Sequence, residues 1–243
     1  MGQYYKMINL SKQETLEKIN LSKLVEFAYV SSDDNINLVY MLSKNWKGDI
    51  VITVGDYFEI DYFDFKESEL QKDPEKRNLY LYYERLLKQY KKSYFYDLAK
   101  VFKNVSPPTE TLRNSLNDPY IRMKILRSFY TEHRYFVNYK RKEYIDLMEW
   151  MDIQKNLGTK NLFYADSPVI LLIVCGNGLG GGDYHGLNEE KIGLWAFEPI
   201  GIEKEKPISF TNKTKEYIFK EELREPLPEE IKEVLQIIQR REG

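Results

Sequence analysis

Six of the thirteen glycines fall in one run, Gly176-Asn177-Gly178-Leu179-Gly180-Gly181-Gly182-Asp183-Tyr184-His185-Gly186. Glycines at this density cost conformational entropy, so the run needs a positional reason. Gly176, Gly178 and Gly181 have the spacing of a dinucleotide-binding turn, and the apolar run Val169–Cys175 could be the strand ahead of it. The residues that follow, Asp183-Tyr184-His185-Gly186-Leu187-Asn188-Glu189-Glu190, do not open the amphipathic helix such a turn requires, and no strand–helix alternation continues. A second reading takes Ser167-Pro168 as the cap and first residue of a helix that stops at Gly176. The loop then lies at the negative pole of a helix, and Asp183 adds to that charge. Such a site suits a cation, an amine or a donor-rich protein partner. Its binding residues would be Asn177, Gly180, Gly181, Gly182, Asp183, Tyr184 and His185, with Trp195 beside them. In a third reading the glycines only let the chain pass closely under Trp195.

Cys175, Asp183 and His185 imitate a thiol–imidazole–carboxylate set. Cys175 nevertheless ends an apolar run, where an inert buried thiol is the expected outcome. No catalytic residue is assigned on this basis. The acidic pairs Asp61/Asp64 and Glu221/Glu222 carry no motif and read as solvated surface. With one cysteine and two histidines in the chain, neither an internal disulfide nor a Cys- or His-rich metal site is expected, and no cofactor is implied.

Aromatic and basic residues interleave in the middle of the chain. Tyr80, Tyr82, Tyr83, Tyr90 and Tyr94 alternate with Arg85, Lys88, Lys91 and Lys92, the pattern of a surface that stacks bases and contacts phosphates. Leu79, Tyr83, Leu86, Tyr90 and Tyr94 also fall on one helical stripe, which assigns Tyr83, Tyr90 and Tyr94 to the core. The formal net charge is −2, yet residues 75–142 carry a net of +10 and the remainder a net of −12. Either the two parts compensate each other within the molecule, or the basic part faces an acidic protein or a nucleic acid.

These residues must be positioned by a sizeable core. The chain has 243 residues, 42% of them hydrophobic, with twenty Tyr, twelve Phe and three Trp, which excludes the disordered and low-complexity classes. The longest apolar run, Val169–Cys175, is far too short to span a bilayer, and the polar start MGQYYKMINLSKQE is unlike a signal peptide. A cytoplasmic protein with no membrane contact is expected. Asp73-Pro74-Glu75 opens a helix, Pro107-Pro108 ends the helical run, Asp118-Pro119 opens another through Ile121, Ile125 and Phe129, and Pro228 opens a last one through Ile231, Val234, Leu235 and Ile238.

The two ends of the chain echo each other. Tyr4-Tyr5 is followed by Asn9-x-x-Lys12-x-Glu14, and Tyr135-Phe136 by Asn138-x-x-Arg141-x-Glu143. Trp46 precedes Asp49 by three residues and Trp195 precedes Glu198 by three. Two landmarks in the same order imply an internal duplication. Each copy should begin with a β-hairpin, Tyr4–Leu10 against Glu14–Ile19 in the first, and continue through helices to a strand, Asp49–Val54, leaving by a turn at Gly55-Asp56. The expected fold is α+β: a first lobe over 1–72, a basic helical insertion over 73–132, and a second lobe with the glycine loop and a C-terminal helix over 133–243, packed as one unit.

The opening MGQYYKMINL, the run GDIVITVGDY, and GNGLGGGDYHG followed by IGLWA together resemble a family of bacterial proteins of unassigned function. Its members begin MGQYY(K/R) and carry a GNGxGGGD loop before a Gly-x-Trp-Ala segment. The resemblance covers roughly residues 1–60 and 134–205 and implies no reaction. The first copy departs from it in having no glycine loop ahead of Trp46, so a binding loop would serve the second copy only. The expectation drawn from all of this is a cytosolic interaction protein that binds a macromolecular partner, with a setting in conflict between a bacterium and a phage or toxin. The competing classes are an enzyme or sensor with a small ligand in the glycine loop, and a nucleic-acid binder using residues 75–142.

The loop reading has a direct test. Asp183→Asn is expected to change stability by no more than about 0.5 kcal/mol, as a surface-loop substitution. It should weaken binding by about 1.5–3 kcal/mol through loss of a charge-assisted hydrogen bond. Melting curves and calorimetric titration with the partner read both, and unchanged affinity would reduce the glycines to chain geometry.

Overall fold

The computed structural model describes residues 3–16, 23–24, 28–29, 32–58, 74–92, 94–106, 119–156, 165–176 and 191–217. The glycine loop from Asn177 to Gly186 and the expected C-terminal helix lie outside the described residues, as do Pro107-Pro108 and the acidic pairs.

The fold is mixed α+β. The strands are β1 (Tyr5–Asn9), β2 (Glu14–Leu16), β3 (Asp49–Gly55), β4 (Lys103–Val105), β5 (Tyr135–Asn138), β6 (Glu143–Asp146), β7 (Val174–Cys175), β8 (Pro199–Glu203) and β9 (Thr211–Asn212). The helices are α1 (Asp33–Ser43), α2 (Pro74–Gln89), α3 (Phe95–Leu98), α4 (Pro119–Glu132), α5 (Leu147–Asn156) and α6 (Pro168–Leu171). Among the described residues the strands make one sheet in the order β4-β2-β1-β3-β8-β5-β6-β9, with β7 added to β3. Both hairpins lie where the sequence places them, and so does the strand at Asp49.

The register is the same in the two halves. Asn9 faces Glu14 and Val51, and Asn138 faces Glu143 and Ile200. In each half a short parallel strand covers the outer edge of the hairpin: Glu14 faces Lys103 on β4, and Glu143 faces Thr211 on β9. The halves meet where β3 and β8 run antiparallel, with Asp49 opposite Ile200 and Ile50 opposite Pro199. The segment 73–132 therefore contributes β4 to the first half's sheet. It carries α2 and α3 between the third and fourth strands of that half, where the second half has only 204–210, and α4 after the fourth.

Alternation along β1 and β3 sends side chains into two cores. Met7 and Val51 point into the larger core, with Trp46, Trp150, Trp195, Leu126 and Tyr130. Ile8, Ile52 and Val54 point the other way, where Tyr83 and Leu86 of α2 and Phe95 and Leu98 of α3 cover them. The tyrosine stripe of α2 holds for Tyr83, which is fully buried, and for Tyr90, half-buried edge-on to Phe102 at 5.5 Å. Tyr94 departs from it and is exposed: α2 ends at Gln89, Lys91 takes a left-handed conformation (φ 53°), and Tyr94 becomes the cap position of α3. Helix α4 is also turned from expectation. Leu126 and Tyr130 are its buried residues, Ile125 and Phe129 are half-buried and Ile121 is exposed. The rotation lets Phe129 meet Tyr40 of α1 (6.5 Å) while Leu126 and Tyr130 join Trp150 of α5.

Ser167 caps α6 and Pro168 is its first residue, as expected from sequence. Gly176 is not the stop of that helix. The helix ends at Leu171, and Val174–Cys175 pairs in parallel with Thr53–Val54 before Gly176 is reached. Open ladder positions on β3 and the β-branched Ile173 and Val174 favour a strand over another helical turn. The glycine loop therefore leaves a strand, and the helix-dipole argument for a cationic ligand loses its basis.

At the end of α4, His133 is buried and stacked on Phe129 at 4.4 Å. Burial, then Lys204 and Lys44, hold its imidazole below the ordinary histidine range, and the charge of Glu132 opposes them only in part. The unfolded chain thus binds this proton more readily than the folded one. Stability should rise with pH below the unfolded histidine value of about 6.5 and level off above it. His133→Phe should flatten that rise in urea titrations at several pH values while keeping the stack.

Candidate partner-binding groove

The shared Asn-x-x-(Lys/Arg)-x-Glu pattern is a hydrogen-bonded turn. Asn9 Oδ1 accepts from the Lys12 N–H (3.0 Å), and Asn138 Oδ1 accepts from Lys140 N–H (3.0 Å) and Arg141 N–H (2.9 Å). Each amide donates across the half, Asn9 Nδ2 to Asp49 (2.7 Å) and Asn138 Nδ2 to Glu198 (2.6 Å). The turn's cation meets the same acid: Lys12–Asp49 is 2.9 Å and Arg141–Glu198 is 2.6 Å. Gln13 (φ 56°) and Lys142 (φ 55°) then take left-handed conformations, uncommon without glycine, that turn the next residue into the strand. That residue is Glu14 or Glu143, and its carboxylate accepts the indole N–H of a fully buried tryptophan: Trp46 at 2.8 Å, Trp195 at 3.2 Å.

The halves differ in what lies against this carboxylate. In the second half, six residues beyond the start of β9, Tyr217 sets its ring edge-on to Trp195 at 5.7 Å and donates its hydroxyl to Glu143 at 3.1 Å. Burial, and after it the Glu143 charge, pushes the Tyr217 hydroxyl up to about 12, so it is a donor at neutral pH. Trp195 is enclosed by Tyr217 and by Phe136 at 4.8 Å. In the first half β4 runs out at Val105, and the sequence from Ser106 to Pro119 contains no aromatic residue. There the described surface forms an open groove of about 450 Å³, with Lys12, Glu14, Asn45 and Lys103 as polar walls and Met41 and Val105 as apolar ones. The Lys12 ammonium also donates to the Asn45 carbonyl.

Just past α2, Tyr90 donates its hydroxyl to Gln13 of the same turn. Lys91 is exposed and Lys92 half-buried beside it, while Arg85 and Lys88 are exposed further along the helix, Lys88 paired with Glu84 at 2.9 Å. At the other candidate, Asn177, Gly180, Gly181, Gly182, Asp183, Tyr184 and His185 lie outside the described residues, and Trp195 alone is placed. Cys175 is fully buried and burial pushes its thiol well up, which disfavours the thiolate a nucleophile requires. Among the described residues no group of His, Cys, Asp or Glu side chains is arranged to hold a metal ion, and no helix is long and apolar enough to cross a membrane.

Glu14 and Glu143 were visible in the sequence as members of a repeated pattern, but not as indole acceptors. Tyr217 carried no signal, because it acts through a contact 74 residues away. Its two contributions separate on mutation. Tyr217→Phe should cost about 1–2 kcal/mol by removing the hydrogen bond to a charged acceptor. Tyr217→Ala should cost about 3–5 kcal/mol by opening a cavity over Trp195. Denaturant unfolding reads both, and equal losses would deny the hydroxyl any part.

Comparison with known protein families, curated proteins and solved structures finds no match for this chain.

Proposed function

We propose that this protein works by binding a protein partner of acidic character at the first-half end of the sheet, and that its two halves are copies of one duplicated unit. The observation that carries the binding reading is the asymmetry between otherwise matched halves. Tyr217 meets Glu143 in the second half, whereas among the described residues Glu14 lines an open groove in the first. Duplication accounts for the matched register and networks, since two such sets of bonds on identical spacing need a common origin more than a common pressure. The exposed Lys103 at the groove gives the partner its sign, and Arg85 and Lys91 are further exposed cations of the same half. Residues 75–142 have a net charge of +10 to set against an acidic surface. The α2 cations would equally meet phosphates, which keeps a nucleic acid as the second reading.

Site-directed photo-crosslinking in host lysate decides between them. A benzophenone side chain in place of Lys103 should yield a discrete protein adduct, and the same group at Thr211, its counterpart on β9, should not. Equal yields at the two edges would overturn the asymmetry. An adduct at Lys103 that nuclease removes would assign the surface to nucleic acid.

A further inference from the structure

The second half shows what meets this carboxylate when the chain supplies it. Tyr217 reaches Glu143, beside Arg141, with its ring against the apolar wall. The first-half counterparts of those two side chains, Glu14 and Lys12, both line the open groove, and Lys103 and Val105 stand on β4 where Thr211 and Lys213 stand by β9. Resting on the binding reading above, we infer that the groove receives a tyrosine side chain from an acidic stretch of the partner, its phenol hydroxyl donating to the Glu14 carboxylate.

Four features fit this ligand. A carboxylate offers about four lone-pair sites, and Glu143 already accepts an indole N–H and a phenol O–H on one oxygen, so Glu14 can do the same beside Trp46. The ring has apolar walls in Met41 and Val105, since Trp46 itself is fully covered. Lys103 is exposed at the groove and meets acidic flanking residues. Glu14 excludes the phosphorylated form, because a phosphate would bring two negative charges onto a carboxylate. The ligand class is therefore an unmodified tyrosine with acidic neighbours, and the groove discriminates by hydroxyl, by charge and against phosphate.

The test uses the whole chain, uniformly ¹⁵N-labelled, and the indole N–H resonance of Trp46, assigned by Trp46→Phe. N-acetyl-tyrosinamide should shift it saturably in the millimolar range and leave Trp195 in place. N-acetyl-phenylalaninamide should bind about tenfold or more weakly, since it lacks the hydrogen bond to a charged acceptor, and N-acetyl-phosphotyrosinamide should not bind. Glu14→Gln keeps an acceptor for Trp46 and should weaken the tyrosine probe by a similar factor. Should that variant not fold, the exposed Lys103→Glu serves: it should abolish the preference for Asp-Tyr-Asp amide over N-acetyl-tyrosinamide. Absence of a saturable shift, equal response to the phenylalanine probe, or an unchanged preference in Lys103→Glu would overturn the inference. A Lys103 crosslink to protein with no response to tyrosine would fail the ligand and leave the binding reading standing.

Discussion

A buried indole N–H without an acceptor forfeits the hydrogen bond it had in water; among the described residues Trp150 bears that cost, and Trp46 and Trp195 avoid it. For these two the acceptor is a carboxylate at the first residue of a hairpin's second strand, and much of the structure serves to put it there. Trp46 and Trp195 are both without exposed surface, and each reaches a glutamate through its one polar atom. The glutamate is aimed by the left-handed residue before it, Gln13 or Lys142. That residue is held by a turn whose Asn side chain ties the backbone to the strand next door. The conformational cost of two non-glycine residues at positive φ is offset by the indole bonds and ion pairs those turns make possible.

The same constraint explains how the halves join. Asp49 and Glu198, which hold the two turns, stand beside the short antiparallel contact of β3 and β8. Gly48 N–H donates to the Ile200 carbonyl at 2.8 Å, just beyond this contact. Ser167 Oγ donates to Asn35 Oδ1 at 2.6 Å while accepting the Val169 N–H, so the cap of α6 meets the first turn of α1. The joint is polar and exact in its pairing, with apolar layers on either side. A sheet built this way tolerates different loads on its two ends. The first half carries α2 and α3 on its second face, and the second half carries Tyr217 over its tryptophan.

What the sequence disclosed follows from how local each feature is. The Asn9-x-x-Lys12-x-Glu14 and Asn138-x-x-Arg141-x-Glu143 patterns and the Trp-to-acid spacing were visible because each part lies within a few residues of the next, and they mark the bonded network of both turns. The hairpins, the Ser167-Pro168 cap and the first part of the α2 stripe were legible for the same reason. Tyr94 and Ile121 were misplaced because helix ends and helix rotation depend on what packs alongside, here Phe102 against Tyr90 and Tyr40 against Phe129. Gly176 was misread as a helix stop because the strand before it exists only through the unfilled ladder of β3. The groove could not be read at all, since its walls, Lys12 and Glu14, Met41 and Asn45, and Lys103 and Val105, are far apart in sequence and only the fold brings them together.

Charge completes the picture of why the first half is the open one. Acids around the network are paired: Asp49 with Lys12 and Glu198 with Arg141 of the two turns, Glu203 with Lys47 at 2.5 Å, and Asp146 with Arg134 at 2.8 Å. Surface pairs of this kind contribute little stability beyond fixing geometry. Arg134 and Arg141 of the basic middle segment are engaged in this way, while its Arg85, Lys91 and Lys103 are exposed. An exposed lysine on a short edge strand also discourages a second chain from adding to the sheet. The edge therefore repels indiscriminate β-pairing while its groove keeps a carboxylate available to a donor, a combination that favours side-chain recognition over strand addition.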